Sequence, residues 1–253
     1  MAITVEERVG FVEQLRFEPT AERLAADLAT TPPSIVETRP SGAVDAGSVV
    51  SFVTGLSTQH KEDVLDSTLL AQLVATHEHP KEEEIEAWYR RYREVLEHIG
   101  WTISEKSFDR YEAGGSAFTV DKVVIEVLAA VATGNEVAMA TAALEALKKL
   151  SDESNQMKIW ESTSHRAESG NFQIGAAQEN DGVVAMALGA FYFHTKQTTT
   201  HFLWTSWSST EIELWKAGQV VTLNEQVYEH VRATVVQKLG SSAATFVEEL
   251  PEF

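Results

Sequence analysis

The sequence predicts an α+β fold in which a helical N-terminal half packs on a largely antiparallel, aromatic-rich β-sheet. Three observations lead there. The segment HPKEEEIEAWYRRYREVLEHIG carries apolar residues at Ile85, Trp88, Tyr89, Tyr92, Val95, Leu96 and Ile99, the spacing of one buried helix face. The segment NFQIGAAQENDGVVAMALGAFYFHT sets Asn180-Asp181-Gly182, strong hairpin chemistry, between two extended runs. Capping residues and terminal glycines bracket most of the helical patterns.

Taken in order, Thr4 and Glu7 form a capping box ahead of a helix bearing Val9, Phe11, Val12 and Leu15. Thr20 caps a second short helix through Leu28. The stretch TTPPSIVETRPSG has three prolines and reads as a surface crossing. Val49–Leu56 and Glu62–Thr76 read as helices, and Pro80 opens the long helix that Gly100 closes. From Trp101, WTISEKSFDRYEA reads as a strand or strand pair ending in a turn at Ala113-Gly114-Gly115. Thr119 caps an apolar helix (Val123, Val124, Val127, Leu128, Val131) that stops at Gly134, and Asn135 caps an alanine-rich successor to Leu150.

Val183–Phe193 is apolar on both pleat faces, as a central strand covered on both sides should be. HTKQTTTH then turns the chain so that Phe193 faces Phe202, Tyr192 faces Leu203 and Phe191 faces Trp204. Thr222 and Glu225 cap a last helix, lined by Val227, Val231 and Val235 and ended by Gly240. The segments beginning WTISEKSFDRYEAGG and WTSWSSTEIELWKAGQ align, which suggests a strand–turn–strand–helix unit used twice, at 101–134 and 204–240. No linker separates them, so residues 1–253 are expected to form a single compact domain.

With 38 acidic and 20 basic residues the chain carries a net charge of -18. That surface repels phosphate backbones, so nucleic acid is not an expected partner, and membrane contact would need apolar insertion. The absence of cysteine rules out disulfides, thiol nucleophiles and thiolate metal sites. The N-terminus lacks a basic head followed by an apolar core, which points to the cytoplasm by default, with signal-less export also open. The longest apolar run, Val183–Phe193, is too short to span a bilayer as a helix.

P-loop, dinucleotide-fingerprint, HExxH, EF-hand and GxSxG patterns are absent, and no cofactor is expected. AGGSAF lacks the residues that would make it a nucleophile elbow or phosphate cradle. His77 and His79 would point the same way only on a strand, and they lie between helices, so no metal is expected there. Asp109, Glu112, Glu211 and Glu213 read as a solvated strand face. His194 and His201 bracket TKQTTT, lie opposite each other at a hairpin mouth in this reading, and are candidate pH sensors. Phe191, Phe193, Phe202, Trp204, Trp207 and Trp215 are the candidate ligand- or partner-binding residues. The expectation is a non-catalytic interaction protein, of toxin or virulence type or an assembly subunit. It would self-associate, or bind a lipid, an apolar ligand or a membrane, through its aromatic β half. The alternative is a hydrolase in which His194, His201 and a carboxylate converge in a pocket.

Overall fold

Thr4 starts the fold as its sequence demands: its hydroxyl accepts from the Glu7 amide and its own amide donates to the Glu7 carboxylate, opening α1 (Val5–Gln14). The structure is a computed structural model that describes residues 3–17, 39–80, 84–104, 106–114, 117–166, 168–196 and 200–251. After α1 come β1 (Ser41–Asp45), β2 (Ser48–Phe52), α2 (Thr58–Glu78), α3 (Ile85–His98), β3 (Trp101–Thr102) and β4 (Asp109–Arg110). Then follow α4 (Val120–Ala129), α5 (Gly134–Lys148), α6 (Asn155–Ser164), β5 (His165–Arg166), β6 (Ser169–Asn180) and β7 (Val183–Thr195). The chain finishes with β8 (Ile212–Leu223), α7 (Glu225–Leu239), α8 (Ser242–Phe246) and β9 (Val247–Glu249). The helix expected at Thr20–Leu28, most of the proline segment and the Gly115-Ser116 pair lie outside the described residues.

Asp181 and Gly182 take φ values of 51° and 77°, the two left-handed residues of a type I′ turn, and join β6 to β7. Together the described strands form a nine-stranded sheet of order β3-β8-β7-β6-β2-β1-β9, in which β4 also pairs with β8 and β5 with β6. All pairs are antiparallel except β2 with β6, which is parallel. The fold is α+β. Helices cover both faces of the sheet: α4, α5 and α6 lie on one, α2 and α3 on the other, with α7 packed outside α2. One contiguous apolar cluster runs from Val12 to Leu250.

Several local expectations are overturned. Val49–Leu56 is not a helix: β2 occupies Ser48–Phe52 and is buried along its length. An apolar run covered on both faces shows no alternation, so period alone does not separate strand from helix. Thr133, not Asn135, caps α5, through a capping box with Glu136. β8 runs on through Leu223, so Asn224 rather than Thr222 caps α7. Thr119 does stand ahead of α4, yet its hydroxyl makes no cap bond.

The strand paired to β7 also differs from expectation. Phe193, Tyr192 and Phe191 stand opposite Leu214, Trp215 and Lys216 of β8. Residues 201–207 form a looped segment instead, pinned where Trp207 donates to the Phe202 carbonyl at 2.9 Å and Phe118 bridges Trp207. Phe202 still meets Phe193, with ring centroids 4.6 Å apart, but from below the sheet and not across a ladder. Ala217-Gly218, expected as a turn, sits inside β8. A Cβ on Gly218 would lie 2.7 Å from Val127 Cγ1, so close approach of α4 is the reason for glycine there. Residues of the two segments expected to repeat pair with each other instead, antiparallel through Trp101↔Leu223, Arg110↔Trp215 and Phe118↔Trp207.

Between the α2–α3 layer and the sheet lies a buried polar network. Thr68 donates to Asp45 Oδ2 at 2.5 Å, and the Gln72 amide donates to the Asp45 carbonyl at 3.0 Å. Next to it, Ser48 donates to Gln173, which donates to the Tyr89 hydroxyl at 3.0 Å. Asp45 is fully buried, and burial drives its carboxyl well above the carboxylate range, against the lowering effect of Thr68.

Two predictions follow from this packing. Because folding raises the Asp45 pKa, its contribution to stability is complete below about pH 4 and is lost as pH rises toward the folded value. Asp45→Asn should therefore gain stability relative to the wild type between pH 5 and pH 8 in urea titrations; a constant difference would contradict this. Separately, a Cβ on Gly170 would lie 2.4 Å from the Ser164 carbonyl oxygen, a backbone atom that cannot rotate aside. Gly170→Ala should cost about 3 kcal/mol in the same assay.

Candidate functional site

The β7–β8 ladder sorts its side chains by parity. Phe191 and Phe193 point to the α4–α6 side. Leu188, Ala190 and Tyr192, with their partners Gln219, Ala217 and Trp215, point to the α3 side. There they floor a cleft of about 410 Å³, within the size of small-ligand pockets. One wall is α3, through Tyr89, Arg90 and Arg93; the other is made by Ile103, Lys106 and Phe108, which lie between β3 and β4 in the chain.

Aromatic rings make up much of this surface. Phe108 lies 4.7 Å from Tyr89 and 5.1 Å from Tyr192 between ring centroids, and Tyr192 stacks on Trp215 at 4.6 Å and 7°. Tyr89 is fixed from behind: its hydroxyl donates to the Phe191 carbonyl at 2.8 Å and accepts from Gln173. Cations gather at the rim. Arg90 and Lys106 are exposed, Arg93 lies 3.6 Å from Glu97, and the Arg110 guanidinium sits 5.8 Å from the Trp215 ring while pairing with Glu213. Of the residues lining the cleft, Arg90, Arg93 and Lys106 outnumber the one acid, Glu86, a local excess of positive charge on a chain of net charge -18.

The sequence-selected residues divide cleanly. Phe191, Phe193, Phe202 and Trp207 lie in the core with at most 2% exposure, so no partner reaches them without unpacking the protein. Phe172 stacks on Phe191 at 4.9 Å and Trp160 on Phe202 at 6.1 Å, completing that interior cluster. Trp204 and Trp215 are half-buried, and Trp215 alone of the six candidates lines the cleft. The large apolar side chains exposed among the described residues, Ile3, Val5, Val183, Val220 and Val236, do not line the cleft.

His194 and His201 do not face each other. His194 stands between Ser169 and Glu213 in the sheet, with its ring near Trp215, while His201 lies 2.9 Å from Asp152 and next to Trp204. Glu213 pairs with Arg110, and Glu211 accepts from the Ser208 hydroxyl and amide, which hold its carboxyl below the usual range. Thus the histidine–carboxylate pocket that a hydrolase would need is not assembled from His194 and His201. Sequence reasoning missed Tyr89, Arg90, Arg93 and Phe108. The one available signal was the breadth of the aromatic stripe on α3, where Trp88, Tyr89 and Tyr92 exceed what a single packing seam requires.

Neither protein-family models nor curated proteins match this sequence. Among solved structures, one described as a delta-endotoxin aligns with TM-score 0.41 and 12% identity, covering 78% of this chain and 88% of its own. The Evf virulence factor aligns with TM-score 0.36 and 11% identity, covering 86% and 88% respectively.

The cleft makes a spectroscopic prediction. Trp88, Trp101, Trp160 and Trp207 are at most 6% exposed, leaving Trp204 and Trp215 open to quenchers. Iodide should quench Trp215 more efficiently than caesium despite the net negative charge, because Arg90 and Lys106 line its cleft and the Arg110 guanidinium lies 5.8 Å from its ring. The iodide excess should vanish in Trp215→Phe and persist in Trp204→Phe.

Proposed function

We propose that this is a non-catalytic binding protein whose cleft on the β7–β8 sheet takes an apolar ligand carrying an acidic group. The observation that carries the reading is the union of a stacked aromatic floor with a cationic rim on an otherwise acidic chain. The floor offers apolar and aromatic area to the body of the ligand, and Arg90, Arg93 and Lys106 offer donors to its head group. Hydrogen bonds already made by Tyr89 hold one wall in position before the ligand arrives, which limits the ordering cost of binding.

A toxin- or virulence-type role is the membrane-facing version of the same reading, in which the ligand is presented by a bilayer. Decanoate and 2-naphthoate serve as soluble probes, with decanol as the uncharged counterpart. Isothermal titration should show saturable binding of both acids at one site per chain. Arg90→Glu with Lys106→Glu should weaken decanoate about tenfold and leave decanol unchanged. Ala217→Trp, which fills the half-buried floor without touching the backbone ladder, should abolish binding of all three. Absence of saturable binding, or full binding by Ala217→Trp, would overturn the proposal. Sedimentation with neutral phosphatidylcholine liposomes then separates the two versions: a soluble carrier stays in the supernatant, a membrane-engaging protein pellets.

A further inference from the structure

At the far end of the α2–α7 layer, three chain segments distant in sequence meet around His60. Its Nδ1 lies 2.7 Å from Glu179 Oε2 at the end of β6. A proton held on Nδ1 by that carboxylate leaves the Nε2 lone pair directed at Glu225 Oε2, 3.7 Å away and beyond hydrogen-bond distance. Asp63, one turn on from His60, brings a third donor, and the ligand atoms of His60, Asp63 and Glu225 all lie within 4.8 Å of one another.

From this geometry we propose a divalent transition-metal site, with Zn²⁺ as the fitting ion, ligated by His60, Asp63 and Glu225 and backed by Glu179. Two ligands on one tetrahedral zinc stand about 3.3 Å apart at ordinary bond lengths, so small side-chain rotations close the observed spacing. One imidazole with two carboxylates suits zinc better than magnesium or calcium, which favour all-oxygen shells. A carboxylate on the second nitrogen of a ligating histidine is the usual outer support of such sites.

The existing hydrogen bonds leave the donors available. Arg232 donates from Nε to Asp63 Oδ1 and from Nη2 to Asp63 Oδ2, each at 2.8 Å, and also to Glu225 Oε1. Gln59 adds a second bond to Asp63 Oδ1, so Oδ2 keeps a lone pair, and Glu225 Oε2 is shielded from solvent and accepts no hydrogen bond. Arg232 thus holds both carboxylates in place and leaves Glu225 Oε2 without a hydrogen bond.

An independent feature points the same way. Tyr228 is wholly buried, and its hydroxyl has no hydrogen-bond partner. Its ring lies 5.5 Å from the guanidinium of Arg232, which holds Asp63 and Glu225, so an unsatisfied buried donor stands beside the cluster. Arg232 and the N-terminal ends of α2 and α7 oppose a cation. Five carboxylates, Glu62, Asp63, Asp66, Glu179 and Glu225, outweigh one guanidinium and two helix ends of about half a charge each.

The test is titration of the full-length protein, stripped with EDTA, with ZnCl₂ alone. One Zn²⁺ per chain should bind, with Co²⁺ substitution giving visible absorption bands typical of a ligated ion. His60→Ala and Glu225→Gln should each weaken Zn²⁺ at least a hundredfold. Glu179→Gln should weaken it about ten- to a hundredfold while keeping the stoichiometry. Circular dichroism of each variant in metal-free buffer checks that it folds, and His60→Gln replaces His60→Ala if the latter does not. No saturable Zn²⁺ binding, or binding unchanged by His60→Ala and His60→Gln, would overturn the site. The decanoate cleft is untouched by these substitutions, so the two proposals fail independently.

Discussion

The antiparallel register of β6, β7 and β8 is the constraint on which both faces of this protein depend. Side chains alternate along a strand, so a slip of one residue would exchange the floor of the cleft for the core. Phe191 and Phe193 would then stand where Tyr192 stands. The Asp181-Gly182 turn prevents this on the β6 side, because its two left-handed residues define which residues pair first. On the β8 side Gly189 stands opposite Gly218, where the Phe191 ring crowds the first and Val127 of α4 the second, leaving no room for a larger side chain.

The two faces that result are chemically unlike. One is a dry aromatic interior in which Phe172, Phe191, Phe193 and Phe202 pack with Trp160. The other holds the polar bridge from Ser48 through Gln173 to Tyr89, and the cleft beyond it. That bridge links the parallel β2–β6 pair to the wall of the cleft. The geometry of the cleft is therefore supported from the middle of the sheet, not from its edge strands alone. The acidic exterior makes the cationic rim stand out: on a neutral protein Arg90 and Lys106 would be ordinary surface residues, whereas here they mark one region for an anion.

Local signals were legible in the sequence and long-range choices were not. The Thr4 box, the α3 stripe and the Asn180-Asp181-Gly182 hairpin depend on neighbours within a few residues, and all three form. The partner of β7 depends on competition between 201–207 and 212–223, two segments with similar strand-forming residues, and nothing within either one decides it. Val49 and Val50 illustrate the same limit, since an apolar run buried on both faces carries no period. Of the site, Trp215 was named only as one of six aromatics of the β half, with nothing local to set it apart from the five that lie elsewhere. Arg90 and Arg93 read as the wet face of a helix, because only the sheet beneath turns that face into a wall. His60 has its neighbours 119 residues away at Glu179 and, at the start of α7, at Glu225, a convergence no spacing rule contains.

The most direct examination of the cleft is ¹⁹F NMR of protein labelled with 5-fluorotryptophan, in which the six tryptophans report separately on core, loop and cleft. During titration with decanoate, the resonance assigned by Trp215→Phe should shift progressively and saturate, while those of Trp160, Trp204 and Trp207 stay in place. Movement of the Trp204 signal with Trp215 unmoved, or no movement of any signal at concentrations where the acid is fully soluble, would contradict the account.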